Sequence, residues 1–389
     1  MISFQPTEEE AAFVEVAKGL ARDEIRPQAR ECEENRQVSP GIAAKAVELG
    51  FASLELPENW GGLQLPLISQ AQIWQALSYG DLGVVQGLPG PGDAASLIRL
   101  APDNPALQPY KKAGQNGSWP TVAYIDATDP EAPWVSALQV RPDGDGYVLH
   151  GISQPVRLAA FADYVAVAAN DAAGEPVVLW LDRESVKWEI KGGDYRLGLL
   201  AAGLGRVQFN QAKAAGGQVV ARGQAAGELI ARAHARMRVL QAAKEVGLME
   251  AALDYATAYT AERKAFGQVI AQFQGVSFRI ADMVIETRLA NHLVWEAATK
   301  VDADAPDAEG ASLRALYRAH HALRYVTDAA VQLLGGHGFV QEYPVEKWMR
   351  DAQAQVGLYG REKEMLLRRG EQIVNGTSAV NETRRKVAL

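Results

Sequence analysis

Between about 222 and 374 the chain reads as one long helical stretch, rich in Ala, Leu, Arg and Glu, whereas about 118 to 221 breaks into short β-type runs. A hydrophobic period that changes in this way excludes a single all-helical or all-β layer. The β-type runs cover 122–125, 137–140, 147–149, 164–168, 176–181, 186–190 and 206–209, with Gly, Asp, Asn and Pro between them. Their density predicts a compact β-barrel or sandwich. The first 113 residues or so are helical again. Thr7 with Glu10 has the capping-box pattern, Ser39-Pro40 gives an N-cap with Pro in the first turn, and Gly50 is placed to stop the helix between. Leu56 to Gly62 is a turn-rich break before a helix near 66–80. Pro89-Gly90-Pro91-Gly92 is a loop, after which Asp93 opens a further short helix. In the C-terminal stretch one hairpin break is read, at Asp302 to Gly310. The expected fold is mainly α with β: an N-terminal helical domain over 1–117, a middle β-barrel domain over 118–221 and a C-terminal four-helix bundle over 222–389.

Composition narrows the function classes. Lys and Arg total 39 against 47 Asp and Glu, a net charge of −8, so a nucleic-acid partner held by phosphate neutralisation is not expected. The single cysteine, Cys32, allows no internal disulfide and no Cys-rich zinc site, and no metal is expected. No run approaches the 18 to 20 apolar residues of a membrane span, and the start has no basic and apolar leader, so membrane insertion is not expected and the location is read as cytoplasmic.

Two segments carry a family signature. Ala261-Glu-Arg-Lys-Ala-Phe-Gly-Gln-Val-Ile270 is followed by Phe273-Gln274 and Ala281-Asp282-Met283, and Gln332-Leu-Leu-Gly-Gly-His-Gly-Phe-Val-Gln-Glu-Tyr-Pro344 runs into Met349-Arg350-Asp351-Ala352. With the turn Leu56-Pro-Glu-Asn-Trp-Gly-Gly-Leu63, and with the helix, β, helix order, the chain resembles the acyl-CoA dehydrogenase family over nearly its whole length. The residue chemistry is compatible with a nucleotide site. Gly335, Gly336 and Gly338 let backbone approach a ligand closely, Arg263 offers a planar fork of donors suited to a pyrophosphate, and Gln274 and Gln332 add neutral donors and acceptors. The resemblance implies that these positions, with Phe266, grip FAD across a subunit boundary, hence a homodimer or homotetramer.

At the flavin ring and the catalytic base the sequence departs from the family pattern. Where the resemblance implies a turn and a Gly- and Ser-bearing loop, the chain has Thr128-Asp129-Pro130 followed by Glu131-Ala-Pro-Trp134. Counted from Gly144 to Gly151, the aromatic strand position becomes Pro155 and the hydroxyl position Arg157. Pro removes a backbone donor. Arg157 either stabilises a reduced, anionic flavin or fills a site in which no flavin sits. Dehydrogenation of an acyl-CoA needs a carboxylate beside the α carbon while a hydride leaves the β carbon. Counting from Asp351 places Tyr359 where the resemblance implies that Glu. A second alignment through Asn375-Gly376-Thr377-Ser378 places Asn375 there, and the alternative base position on the long helix is Met237. Nearby His234 reads as a satisfied or exposed histidine, and Glu362 and Glu364 read as solvent-facing. A tyrosine base would need its pKa of about 10 pulled down by a cation such as Arg157 or Arg361.

The expected function is that of an FAD-dependent oxidoreductase acting on an acyl-CoA thioester in fatty acid metabolism, with weakened or altered activity and, if active, an electron-transfer protein as partner. The alternatives are a catalytically silent member that binds acyl-CoA or supports a partner subunit, and a flavin monooxygenase on the same fold.

Overall fold

The computed structural model describes residues 8–114, 118–128, 137–192, 196–360 and 362–375. Thr7 of the expected capping box, the Glu131 to Trp134 stretch and Arg361 lie outside the described residues. The first helices are α1 (Glu8–Leu20), joined through a π-helical turn at Ala21–Ile25 to α2 (Arg26–Glu34), then α3 (Pro40–Glu48), α4 (Leu67–Gly80) and the short α5 (Leu82–Gln86), α6 (Ala95–Leu100) and α7 (Gln108–Ala113). Ser39 caps α3, its Oγ accepting from the Ile42 N–H at 3.4 Å, with Pro40 in the first turn, where no donor is missed. Gly50 follows with φ 77°, a left-handed stop.

The β region holds β1 (Val122–Ala127), β2 (Gln139–Asp143), β3 (Gly146–Val156), β4 (Tyr164–Asn170), β5 (Pro176–Asp182), β6 (Glu189–Lys191), β7 (Gly205–Ala214) and β8 (Val219–Arg222). They form two four-stranded sheets, ordered β1-β4-β5-β8 and β2-β3-β7-β6. Only β1 and β4 pair in parallel among these strands. Leu149, Val156, Val167, Leu179, Val207 and Phe209 fill the space between the sheets. The outer faces of β4 and β5, through Ala166, Val178 and Trp180, are covered in turn by α6, α7 and the next long helix, through Leu97, Tyr110 and Ile230. Burial on both faces is why these two strands read as unbroken apolar runs rather than as an alternation.

β3 extends well past the expected 147–149. Between Ile152 and Pro155 it carries one residue more than its partner: Ile152 pairs with Gln208 and Pro155 with Arg206. Ser153 repairs the gap, its Oγ accepting from the Val207 N–H at 2.9 Å. Pro155, which cannot donate, is tolerated at such a bulge. The extra residue shifts the alternation, so Val156 faces the space between the sheets and Arg157 the opposite side.

The C-terminal part comprises α8 (Gly223–Glu262), the hairpin β9 (Lys264–Ala265) and β10 (Gln268–Val269), then α9 (Gln274–Asp302), α10 (Ala308–Leu334), α11 (Val345–Leu358) and α12 (Glu362–Val374). The break after Asp302 is the one read from sequence. Those after Glu262, Leu334 and Leu358 are additional. The first is a two-residue turn in which Phe266 and Gly267 take φ of 52° and 86°, a shape usually announced by Asn-Gly and here disguised by a phenylalanine. Small residues let the bundle close: Ala242, Ala243 and Val246 of α8 pack with Ala319, Ala322 and Leu323 of α10. A Cβ on Gly247 would collide with the Gln75 carbonyl, so α4 and α8 meet backbone to backbone.

A buried charge cluster fastens the parts together. Lys347 Nζ donates to Asp81 Oδ1 and Oδ2 at 2.8 and 2.7 Å and to Asp351 Oδ2 at 2.7 Å. Asp81 also caps α5 through the Val84 N–H, and Asp351 accepts from the Leu199 N–H at 2.6 Å. Removing the cation strands two buried carboxylates. Lys347→Met is therefore expected to lower unfolding stability by about 3 to 5 kcal/mol. Urea titration checks this, and a loss under about 1 kcal/mol would contradict the clamp.

Candidate functional site

The residues singled out by sequence fall into two places. The first is built around Asp93, in the 3₁₀ turn Gly92–Ala94 ahead of α6. Arg157, leaving β3 on its outward side, donates through Nε and Nη2 to Asp93 Oδ2 and Oδ1, both at 3.0 Å, and through Nη1 to the Gln86 carbonyl at 3.0 Å. The pair is 7% and 11% exposed. Tyr359, at the C-terminal end of α11, donates its hydroxyl to Asp93 Oδ2 at 2.8 Å, and Gln241 of α8 donates to Oδ1 at 2.7 Å. Gly92 makes room for the guanidinium: it has φ 54°, and a Cβ there would lie 3.1 Å from Arg157 Nη2. The next turn holds Leu158 at φ 64°, a strained conformation for a branched side chain beside the cluster.

The electrostatics follow from this packing. Burial favours a neutral Asp93, but the Arg157 charge and hydrogen bonds outweigh it and hold the carboxyl at about 2. Burial and the Asp93 charge push the Tyr359 hydroxyl well above its ordinary value, against the smaller opposing pull of Arg157. Tyr359 is thus a donor in this structure, not a base. Lys244, one turn after Gln241, donates to Gln86 Oε1 at 3.1 Å and lies 4.7 Å from the centre of the Trp74 ring. Its burial, reinforced by Arg157, brings its pKa down to about 7. Gln86 also donates to Gln241 and Gln355 at 2.6 and 2.7 Å, and Gln355 donates to Glu245 at 3.1 Å. Glu245 is met by His320 Nδ1 at 2.9 Å, both fully buried.

The other base candidates are placed elsewhere. Met237 is buried in the apolar cluster under β5, and His234 Nε2 lies 2.7 Å from the Tyr124 hydroxyl, a satisfied histidine. Glu362 pairs with Arg324 at 3.3 Å, and Glu364 is exposed. Asn375 follows α12 and is exposed. Thr128 spends its hydroxyl on Asp126 Oδ1 at 2.6 Å and does not reach the Asp93 cluster by any hydrogen bond.

The second place is one end of the bundle. Tyr259, a turn before Arg263, hydrogen-bonds His337 Nδ1 at 2.8 Å, which brings the Arg263 segment and the Gly335–Phe339 turn together. Phe266 lies edge-on to Phe273, next to Gln274, and is 96% exposed. Arg263, Gln274, Gln332, Gly335 and Gly336 are all exposed, and the side chains of Arg263, Gln274 and Gln332 have no hydrogen bond among the described residues. A Cβ at Gly335 or Gly336 would meet nothing within 4 Å. From Gln241 to Arg263 is 22 residues of α8, or about 30 Å along the helix. One chain therefore does not bring the two groups into one pocket.

A dinucleotide fits these places unequally. At the bundle end, unspent donors and open glycines suit an anionic, partly stacked group. At the Asp93 end, three of the five N–H donors of Arg157 are already spent and its side chain is 7% exposed, while the Thr128 hydroxyl is held by Asp126, so neither faces outward as a ring contact.

Residues 7–98 match the family model described as acyl-CoA dehydrogenase, N-terminal domain, and residues 226–380 the model described as acyl-CoA dehydrogenase, C-terminal domain. The chain belongs to the acyl-CoA dehydrogenase family. Benzylmalonyl-CoA dehydrogenase of Aromatoleum aromaticum is 26% identical over 363 residues, covering 90% of this chain and 94% of that one. The fold is shared with butyryl-CoA dehydrogenase from Megasphaera elsdenii, at a TM-score of 0.81 and 21% identity over 96% of this chain and 100% of that one. It is also shared with a glutaryl-CoA dehydrogenase from Mycobacterium smegmatis in complex with FADH2, at 0.82 and 16% over 96% of each.

Within this family member, sequence reasoning reached Tyr359 and Arg157 but not their common partner. Asp93 reads from sequence only as a residue opening a helix, and Gln86 on the short α5 and Gln241 and Lys244 on α8 give no signal because amides and a lysine on helices look solvent-facing. The hydrophobic residues around Lys244 on α8, Ala242, Ala243 and Val246, were the available hint that it is buried. Because the Asp93 carboxyl is held below its ordinary value of 3.8, it adds stability above pH 4 that is lost as pH falls toward 2, about 2 kcal/mol in all. Asp93→Asn should remove that part of the acid dependence, measured by urea unfolding at pH 4, 3 and 2. An identical acid slope in both proteins would contradict the pairing.

Proposed function

We propose that this family member binds FAD and an acyl-CoA-like thioester but lacks ordinary α,β-dehydrogenation. The observation that carries this reading is the Tyr359 hydroxyl donating to an Asp93 carboxylate already committed to Arg157. Removal of an α proton requires a carboxylate free to take it, and here the position that the family resemblance gives to that group offers a proton instead. Asp93 cannot substitute, since a carboxyl held at about 2 is a weak base.

Arg263, Phe266, Gln274, Gln332, Gly335 and Gly336 are the residues that would hold the dinucleotide. Bound flavin would supply a hydride acceptor. The exposed apolar side chains Phe266, Phe278, Ile285 and Phe339, on or near α9 and the Gly335–Phe339 turn, support assembly with a second copy that completes that site, giving a homodimer or homotetramer. An electron-transfer protein would be the redox partner of any residual activity. The alternative of a silent subunit supporting a catalytic partner draws on the same two facts, a missing base and an exposed apolar face.

Dye reduction with short, medium and long acyl-CoA is expected to run about a thousandfold or more below the roughly 1 to 10 per second of a competent enzyme. Turnover in that ordinary range would overturn the reading. The visible spectrum of the purified protein separates a flavin-bound member from a silent, flavin-free one. Tyr359→Glu alone should raise dye reduction less than tenfold, because the new carboxylate would face Asp93 and lose the hydrogen bond that the hydroxyl makes. Mass measurement at micromolar concentration should show a dimer or tetramer, and a 42.0 kDa monomer would rule out self-association.

A further inference from the structure

Beside the Asp93 cluster, α4, α6, α8 and the loop 88–93 enclose a cavity of about 50 Å³. At about 10 to 15 Å³ for each water, this is room for about three to five waters, or for a polar group on two or three carbons. Most of its wall is apolar, from Phe51, Leu54, Val85 and Leu88, but Gln70, Trp74, Arg157 and Lys244 also line it. The charges in the wall are mostly spent. Asp93 is committed to Arg157, while Glu55 is held by Arg236, with a further hydrogen bond from Gln70 at 2.5 Å.

Lys244 has donors to spare, and Gln70 has a lone acceptor. Lys244 is 3% exposed and has one hydrogen bond for its three N–H donors, to Gln86. Gln70 is fully buried, donates twice through Nε2, to Glu55 and to the Leu65 carbonyl, and leaves Oε1 buried with no partner among the described residues. Because both partners of its nitrogen are acceptors, the amide orientation is fixed and the lone oxygen is a true surplus acceptor. Gln70 Oε1 shows no surface to the cavity, so the group that can meet a ligand there is the Lys244 ammonium, and a small, largely apolar cavity with such a donor takes an anion.

We propose that this cavity binds a short carboxylate group, with its carboxylate on Lys244. This goes beyond the dehydrogenase reading, since the site needs neither flavin nor base. The group is either a free acid of two or three carbons or the far end of a thioester-linked acyl chain. The groups facing Lys244 are Arg157 after β3, Asp93 ahead of α6, the Trp74 ring on α4, Gln86 on α5 and, one turn back on its own helix, Gln241. Of these, Arg157 disfavours and Asp93 favours its charged form, with burial the largest influence. With the lysine at about 7 when the cavity holds no anion, binding at pH 8 takes up a proton.

Glycolate, lactate, acetate and the neutral lactamide are the free probes, titrated calorimetrically into the full-length protein at matched ionic strength. Malyl-CoA and butyryl-CoA are the thioester probes. Lactate or glycolate is expected to bind at least tenfold more tightly than lactamide. Affinity is expected to fall about fivefold from pH 7 to pH 8. Lys244→Met should weaken binding tenfold or more. Binding of malyl-CoA alone, weakened by Lys244→Met, assigns the group to a substrate's far end. Free acids binding while no thioester does keeps the proposal and overturns the acyl-CoA reading. Should Lys244→Met not fold, proton uptake decides: wild-type heats of lactate or malyl-CoA binding at pH 8 that do not change between buffers of different ionisation enthalpy overturn the proposal. Absence of binding by every acid and by malyl-CoA, or binding unchanged in a folded Lys244→Met, overturns it as well.

Discussion

Asp93 receives hydrogen bonds from three separate stretches of chain, and the interior of the molecule is arranged around satisfying that one carboxylate. Arg157 arrives from the end of β3, Gln241 from α8 and Tyr359 from the junction of α11 and α12. A buried charge pair of this kind is weak evidence for stability in itself, because desolvation offsets much of the attraction. Its effect is on specificity. Once the carboxylate is in place, each of the three donors has one position in which it is not left unpaired, so the β region, the bundle and the N-terminal helices are held in mutual register.

The requirement spreads through amides. Gln86, Gln241 and Gln355 each donate and accept, so a hydrogen bond fixed at Asp93 fixes the orientation of Gln241, which limits Gln86 and Gln355 and so reaches Glu245 and His320. Such a chain is costly to break at any member, since one lost partner leaves a buried dipole unsatisfied. It also fills the interior near Tyr359 with the protein's own polar groups.

The architecture was legible because it rests on patterns that survive without tertiary context. The β4 and β5 runs are too apolar and too short for anything but doubly covered strands, and Ser39-Pro40 and Gly50 bracket α3 by local chemistry alone. β8 was missed because Val219 to Ala221 abut a helix without an intervening turn signal, and the hairpin at Phe266-Gly267 because a phenylalanine occupies a left-handed position. In the site, the absence of a glutamate was readable by counting. Asp93 was not, because its role is conferred by Arg157, 64 residues away, and no local pattern marks that pairing.

The bulge in β3 gives residue count a chemical meaning at this site. Along the strand Tyr147 and Leu149 face the space between the sheets, and only the extra residue after Ile152 transfers that duty to Val156. Were the same residues paired in plain alternation, without the bulge, the arginine would instead project among the apolar side chains Leu149, Val207 and Phe209. It is the parity set by that bulge, rather than composition, that decides which half of the molecule owns the guanidinium.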